Sequence, residues 1–262
     1  MTAATHTAGE SRLGATQRRD AWWLGPLVTA AGLGLFGVYA TFRAVYNADY
    51  QVARPDSAYV LSPFYSPLIV LPWLPAWISP ALLILWAPGG FRVTCYYYRK
   101  AYYRAFFLDP PACAVGEARG HGYRGETRLF LFQNLHRYFL YCALVFLVIL
   151  AIDVVHTCVW PVPGGGRYTF GISVATLVLA ANVTLLSLYT FSCHSLRHLV
   201  GGNVDCFSCV ALGKARYQAW RGVSALNEHH MLFAWLSLFS VGFADFYVWM
   251  VASGRLTDLR IL

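Results

Sequence analysis

Residues 171–202 read GISVATLVLAANVTLLSLYTFSCHSLRHLVGG and join a long apolar run to a group of cysteine, histidine and arginine residues. The stretch from Gly171 to Leu199 is largely apolar and is longer than the roughly 20 residues that a membrane-spanning helix needs. Its last part carries Cys193, His194, Arg197 and His198, and a glycine pair then ends the helix. We therefore predict a membrane span whose end displays metal-type ligands beside an arginine.

The composition of the whole chain agrees with an integral membrane protein. Of the 262 residues, 58% are hydrophobic and only 12% are charged, whereas a soluble domain carries roughly 25% charged residues. The net charge of +8 could suggest a nucleic-acid partner. The basic residues lie beside apolar runs, however, and the positive-inside rule explains that distribution better. We expect a membrane protein without a nucleic-acid partner.

Hydropathy predicts an all-α protein with five membrane spans, preceded by a disordered segment over residues 1–20 and followed by a short outer tail over residues 256–262. The spans, within a membrane domain of residues 21–255, cover 22–46, 78–98, 129–160, 171–199 and 228–253. Residues 62–80 contain five prolines and predict an interfacial or re-entrant segment before the second span. Pro88, Gly89 and Gly90 are expected to kink that span.

Charge asymmetry predicts the orientation of these spans. With the N-terminus in the cytoplasm, 15 lysine and arginine residues lie on or near the cytoplasmic side and five lie outside. The protein is thus expected to cross the cell membrane several times, with most basic loops facing the cytoplasm. In this topology Asp245 lies inside the fifth span, where it would serve as a proton relay or bond a neighbouring helix.

The same topology gathers most of the cysteines and histidines in one cytoplasmic-side layer. Its members are Cys95, Cys113, Cys193, Cys206, Cys209, His136, His194, His198, His229 and His230. Disulfides are rare in the cytoplasm, so free thiols or metal ligands are predicted. Polar groups at membrane depth are expensive and usually mark a functional site.

Four interpretations of this layer remain open from the residues alone. Two histidines from different spans, such as His198 and His230, could ligate haem b. Two cysteines and two histidines could hold a Rieske-type [2Fe–2S] cluster, although the spacing of soluble Rieske proteins is absent. A zinc site could use His194, His198, Cys206 and Cys209. The side chains could also simply join helices.

Several long motifs resemble the membrane-anchor subunit of actinobacterial succinate dehydrogenase, the cytochrome b-like subunit of respiratory complex II. They are TFSCHSLRHLVGG (190–202), FRVTCYYYRKAYYRAFFLDPPACAV (91–115), LFQNLHRYFLYC (131–142) and EHHMLFAWLSLFSVGFADFYV (228–248). The resemblance implies a partner flavoprotein subunit, a partner iron–sulfur subunit, and electron transfer from succinate to a quinone. It also implies a membrane-embedded Rieske-type [2Fe–2S] cluster in place of haem. Leu196 stands where relatives often have a second cysteine.

The resemblance also implies site residues. For the cluster we expect Cys193 with either Cys95 or Cys113, and two of the three histidines His194, His198 and His230. For the quinone, menaquinone or ubiquinone, we expect contacts from His136, Arg137, Arg197 and Tyr98. The alternatives are an anchor that carries haem b, and an anchor or transporter without a redox centre.

Overall fold

The computed structural model describes residues 13–54, 57–75, 77–117, 129–162 and 166–262, with side chains in the fourth range from residue 134 onward. The α-helices of these ranges are α1 (Leu24–Tyr46), α2 (Pro80–Ile84), α3 (Trp86–Thr94), α4 (Tyr96–Phe106), α5 (Leu129–His156), α6 (Val174–Phe191), α7 (His194–Arg197), α8 (Gly213–Glu228) and α9 (His230–Ala252). Two short antiparallel hairpins pair β1 (Gln51–Val52) with β2 (Val60–Leu61) and β3 (Val159–Pro161) with β4 (Tyr168–Phe170). A π-helical turn, His198–Gly202, follows α7, and a 3₁₀ turn, Phe207–Cys209, precedes α8.

Four helices of the described ranges are long and apolar enough to cross a membrane. They are α1, the Asn134–His156 part of α5, α6 and α9. They coincide with the predicted first, third, fourth and fifth spans. The turn predicted between the third and fourth spans is the β3–β4 hairpin, whose tip at residues 163–165 lies outside the described residues.

The predicted second span consists of three short consecutive helices, α2, α3 and α4, rather than one long helix. The breaks lie at Leu85 and Cys95. Pro88, Gly89 and Gly90, where a kink was expected, lie within α3, and the break lies three residues before Pro88, at Leu85. Pro88 is tolerated because it lies in the first turn, where the missing N–H group has no helical partner to lose.

The fourth predicted span also ends earlier than expected. Helix α6 ends at Phe191, and Cys193 adopts an extended conformation with φ −65° and ψ 138° before α7 begins. This break changes the direction of the chain, so His194 and His198 do not continue the face of α6. Both imidazoles are exposed.

A loop over residues 62–67, the first part of the Pro-rich segment, inserts between the helices. Ser62 Oγ donates to Asp245 Oδ1 over 2.5 Å, Tyr65 OH donates to the carbonyl of Arg43 over 2.7 Å, and Ser66 donates to Asp153. Tyr65 is completely buried. These three bonds join the 62–67 loop to α9, α1 and α5, so irregular backbone is buried in protein there.

Arg43 of α1 and Asp245 of α9 form an ion pair within the bundle. Arg43 Nε lies 2.8 Å from Asp245 Oδ2, and both side chains are fully buried. Tyr39 OH donates to the same carboxylate oxygen over 2.5 Å. Asp245 thus bonds a neighbouring helix, which was one of the two roles considered for it.

The Cys206–Cys209 segment and the N-terminal segment both differ from expectation. Cys206 and Cys209 form a disulfide, so the prediction that these thiols are free or bind metal is wrong. The 3₁₀ turn brings their Cα atoms to 5.3 Å, which is bridging distance. Of the segment expected to be disordered, residues 1–12 lie outside the described residues, and Gly14 and Thr16 hydrogen-bond to Gly116 and Ala114.

Candidate metal centre

Two pentapeptides of matching character each end a helix at a cysteine. FRVTC (91–95) ends α3, and YTFSC (189–193) ends α6. Each has an aromatic residue first, a hydroxyl residue fourth and a cysteine fifth. Cys95 has φ −62° and ψ 132°, close to the values of Cys193, and each cysteine separates two helices. The two thiols are therefore presented in the same way at two breaks in the chain.

His136 of α5 contacts both pentapeptides. Its ring stacks on Phe91 with centroids 4.8 Å apart and an interplanar angle of 2°. Its Nδ1 lies 2.9 Å from Thr94 Oγ1, and its Nε2 lies 3.1 Å from Cys193 Sγ. The imidazole thus joins the hydroxyl of the first pentapeptide to the thiol of the second.

His230, the first residue of α9, makes the reciprocal set of contacts. Its ring stacks on Tyr189 with centroids 5.1 Å apart and an interplanar angle of 21°. Its Nδ1 lies 2.7 Å from Ser192 Oγ, and its Nε2 lies 3.4 Å from Cys95 Sγ. Each histidine therefore contacts the hydroxyl group of one pentapeptide and the thiol of the other, and we call this the crossed arrangement.

The hydroxyl groups determine which imidazole nitrogen carries the proton. Thr94 Oγ1 donates to the carbonyl of Gly90 over 2.7 Å, and Ser192 Oγ donates to the carbonyl of Tyr189 over 3.0 Å. Because each hydroxyl proton is already used, each oxygen accepts from an Nδ1–H group. Each Nε2 then keeps its lone pair and faces a sulfur. Metal-ligating histidines are oriented in this manner by a partner of the second ring nitrogen.

The centre is buried and lacks a carboxylate. Cys95 and Cys193 are 2% and 1% exposed, and His136 is 7% exposed. Among the described residues, no three Cys, His, Asp or Glu side chains converge on one ion position. The arrangement is instead two Cys–His pairs. Thiolate and imidazole donors suit zinc, copper and iron–sulfur groups.

Three of the six predicted metal ligands, Cys95, Cys193 and His230, come together in this centre. His194 and His198 lie outside it on the exposed side of the chain. Cys113 is exposed in a loop, where its carbonyl accepts a hydrogen bond from Arg18. The hydrogen bond from Arg18 in turn lowers the pKa of the neighbouring Asp20 carboxyl below its usual value.

The four residues predicted to contact a quinone are dispersed. His136 belongs to the metal centre, and Tyr98 is buried, where its hydroxyl donates to the carbonyl of Ala234 over 2.6 Å. Arg137 lies 3.3 Å from His198 Nδ1, and Arg197 donates to Ser224. Arg197 thereby contacts α8, and Arg137 contacts the π-helical turn.

An apolar cavity of about 190 Å³ borders the metal centre. Its walls come from α1, the 62–67 loop, α3, α5, α6 and α9. Phe91 and Tyr189, the rings that stack on the two histidines, form part of its wall. Arg92 and Thr190 are the polar side chains among its lining residues.

A helical membrane protein with a buried centre of two thiols and two imidazoles, beside an apolar cavity, is the class that this fold and site define. The chain belongs to the family of the actinobacterial succinate dehydrogenase subunit SdhC, whose family model matches residues 24–254. This confirms the resemblance drawn from the sequence motifs. The chain is the membrane subunit of a succinate dehydrogenase complex.

A solved structure supports the same assignment. A chain of the Mycobacterium smegmatis Sdh1 complex in the apo form matches with a TM-score of 0.82 at 42% sequence identity, covering 94% of each chain. Comparison with curated protein sequences finds no match.

The sequence contains a repeated pattern that could have identified the hydroxyl partners. Thr94–Cys95 and Ser192–Cys193 are hydroxyl–cysteine pairs, each three residues after an aromatic residue. Sequence reasoning considered the cysteines singly and assigned His136 to the quinone.

Proposed function

We propose that this subunit passes electrons from the iron–sulfur subunit of its complex to a quinone in the membrane. The electrons would travel through a Rieske-type [2Fe–2S] centre held by Cys95, Cys193, His136 and His230. The observation that carries this proposal is the crossed arrangement, in which each Nε2 lone pair faces a buried thiol and each Nδ1 is fixed by a hydroxyl.

The side chains fit the requirements of such a group. Rieske ligation needs two cysteines on one iron and two histidines on the other, and the buried centre supplies two of each. When bound, the group accepts and releases one electron at a potential above that of an all-cysteine cluster. The residues around it orient the imidazoles and exclude water, since Thr94 and Ser192 are themselves buried.

The same geometry argues against the two alternatives. Haem b would use two axial histidines and would leave the two buried thiols, Cys95 and Cys193, without a role. A purely structural role would leave two buried imidazole nitrogens with thiols as their partners, and thiols are weak donors. Metal ligation would give strong partners to both the thiols and the imidazole nitrogens.

The cavity beside Phe91 and Tyr189 is the proposed quinone site. Its apolar walls suit a quinone ring and an isoprenoid chain, and small-molecule sites are commonly apolar with a few polar groups that fix orientation. Arg92 is placed to donate to a quinone carbonyl. The proposed site therefore differs from the set His136, Arg137, Arg197 and Tyr98 expected from the sequence.

The orientation of the subunit in the membrane is also part of the proposal. The α2–α4 segment would form a second, broken crossing, giving five spans with the N-terminus in the cytoplasm. The proline-containing residues 62–80 would then be re-entrant. The basic α4 and α8 regions would dock the iron–sulfur subunit, which in turn would bind the flavoprotein subunit that oxidises succinate.

Analysis of the purified complex tests the centre directly. We expect acid-labile sulfide and iron beyond the amount held by the partner subunits, together with a paramagnetic signal of low average g. Cys95→Ser and Cys193→Ser should each remove this signal, whereas Cys142→Ser, outside the centre, should retain it. A reduced haem band in the visible spectrum, or no additional iron, would refute the proposal.

Filling the cavity tests the quinone site separately. Leu186 of α6 lines the cavity, and its neighbour Leu185 does not. Leu186→Trp should lower the rate of quinone reduction by about tenfold or more. Succinate oxidation with a soluble dye and the paramagnetic signal should persist. Leu185→Trp is the matched control. Equal quinone reduction in both variants would place the quinone elsewhere.

A further inference from the structure

We infer that Arg92 is a positioning residue whose positive charge stabilises the added electron on the metal centre and thereby raises its reduction potential. This inference rests on the proposed function. Its experimental readout is a potential, which is independent of turnover.

Arg92 lines the cavity that borders the candidate metal centre. It directly follows Phe91, which stacks on His136. Its guanidinium carbon lies 4.8 Å from the centroid of the Tyr189 ring, and that ring stacks on His230. The Tyr189 ring therefore contacts both the guanidinium of Arg92 and the imidazole of His230.

The hydrogen-bond partners of Arg92 are all neutral. Its Nη1 donates to Tyr98 OH over 2.5 Å and to the carbonyl of Ala234 over 3.3 Å, and its Nη2 donates to Ser237 Oγ over 3.1 Å. Within the described ranges, no carboxylate forms an ion pair with it. Arg43, by contrast, is paired with a fully buried aspartate.

An arginine kept at membrane depth without an anionic partner is costly, and such residues usually serve a function. The negative charge that it would face is transient. Two ferric ions, two sulfides, two thiolates and two neutral imidazoles together carry no net charge. One electron from an iron–sulfur centre of the partner subunit converts one ferric ion to ferrous and leaves a net charge of minus one.

No bond forms or breaks in this step, and Arg92 keeps its proton. A fixed nearby cation favours the reduced, negative state over the oxidised, neutral one, and the effect is large where the effective dielectric constant is low. Removing the charge should therefore lower the equilibrium constant for reduction by about tenfold, which corresponds to about 59 mV for one electron.

The test is a redox titration of the purified complex, followed by electron paramagnetic resonance, with iron and sulfide measured in each sample. Arg92→Gln should lower the potential by about 59 mV or more, and Arg92→Lys should stay close to the wild type. Arg167→Gln, which removes a charge from the exposed β3–β4 hairpin, is the control and should change nothing.

A second pair of variants keeps the arginine and so remains informative where Arg92→Gln fails to assemble. Ser237→Asp places a carboxylate beside Arg92 and should lower the potential, whereas Ser237→Asn is neutral and should not. An unchanged potential in Arg92→Gln or Ser237→Asp, in complexes that retain iron and sulfide, would overturn the inference alone. A wild-type complex without the cluster would overturn the proposed function as well.

Discussion

The Nδ1 atom of His136 lies 2.9 Å from the hydroxyl oxygen of Thr94, and this contact directs the Nε2 atom of the ring toward Cys193. Ser192 does the same for His230 over 2.7 Å. The hydroxyl groups of Thr94 and Ser192 therefore belong to the centre as much as the two imidazoles do.

Thr94→Val keeps the shape of the side chain and removes the oxygen that accepts from His136. We expect the metal to be retained about 10- to 100-fold less well, as is typical when the partner of a ligating histidine is lost. The measurement is the iron left per complex during a timed challenge with a chelator. Thr94→Ser should behave like the wild type. Equal iron loss in Thr94→Val and Thr94→Ser would show that the hydroxyl of residue 94 does not help to hold the metal.

Four of the five histidines of the layer should separate into two classes. His136→Ala and His230→Ala should each abolish the paramagnetic signal and quinone reduction, while succinate oxidation with a soluble dye continues. His194→Ala and His198→Ala should leave the signal unchanged, because both side chains are exposed. Loss of the signal in either of the last two variants would restore the ligand set expected from the sequence.

Asp245→Asn should destabilise the bundle by about 3–5 kcal/mol, because Arg43 would be left buried without its partner. Thermal unfolding of the complex in detergent measures the change, with the exposed Asp205→Asn as control. The double variant Arg43→Met with Asp245→Leu removes both charges and should be less destabilised than Asp245→Asn. Identical unfolding of Asp245→Asn and Asp205→Asn would show that the pair contributes little.

Gly90→Ala should disturb the packing of α3 on α5. A Cβ atom at residue 90 would lie 2.3 Å from ring carbons of Phe139, so the ring or the helix must shift, at about 1–3 kcal/mol. At Gly89 an added Cβ meets no atom within 4 Å. Gly89→Ala is therefore the control and should unfold at or slightly above the wild-type temperature. Equal stability of the two variants would contradict the close contact.

Hydropathy located the helices of the described ranges that can cross a membrane, because the requirement for a long apolar stretch acts on each segment separately. The breaks at Leu85 and Cys95 were beyond this reasoning. They lie within a mostly apolar and aromatic stretch, and its hydropathy alone does not indicate where the helix breaks.

Of the two thiols and two imidazoles that the structure brings together, the sequence predicted Cys95, Cys193 and His230 as ligands and assigned His136 to the quinone. Cys193 was expected to continue a regular helix, and that assumption placed His194 and His198 on one face as a ligand pair. The extended backbone at Cys193 instead ends α6, and both histidines follow it at exposed positions although they still share one helical turn. Which histidines face the thiols depends on how α5 and α9 pack, and ligands from separate helices leave no spacing pattern in the sequence.

The 62–67 loop has a consequence for the order of assembly. Its polar partners come from widely separated parts of the chain: Ser62 and Asp245 are 183 positions apart, and Ser66 and Asp153 are 87 positions apart. Contacts between such distant segments close late, because long stretches of chain must be ordered first. The loop can reach its final position only after α9 has entered the membrane. The wall that it contributes to the cavity is thus completed only when α9 packs against the loop.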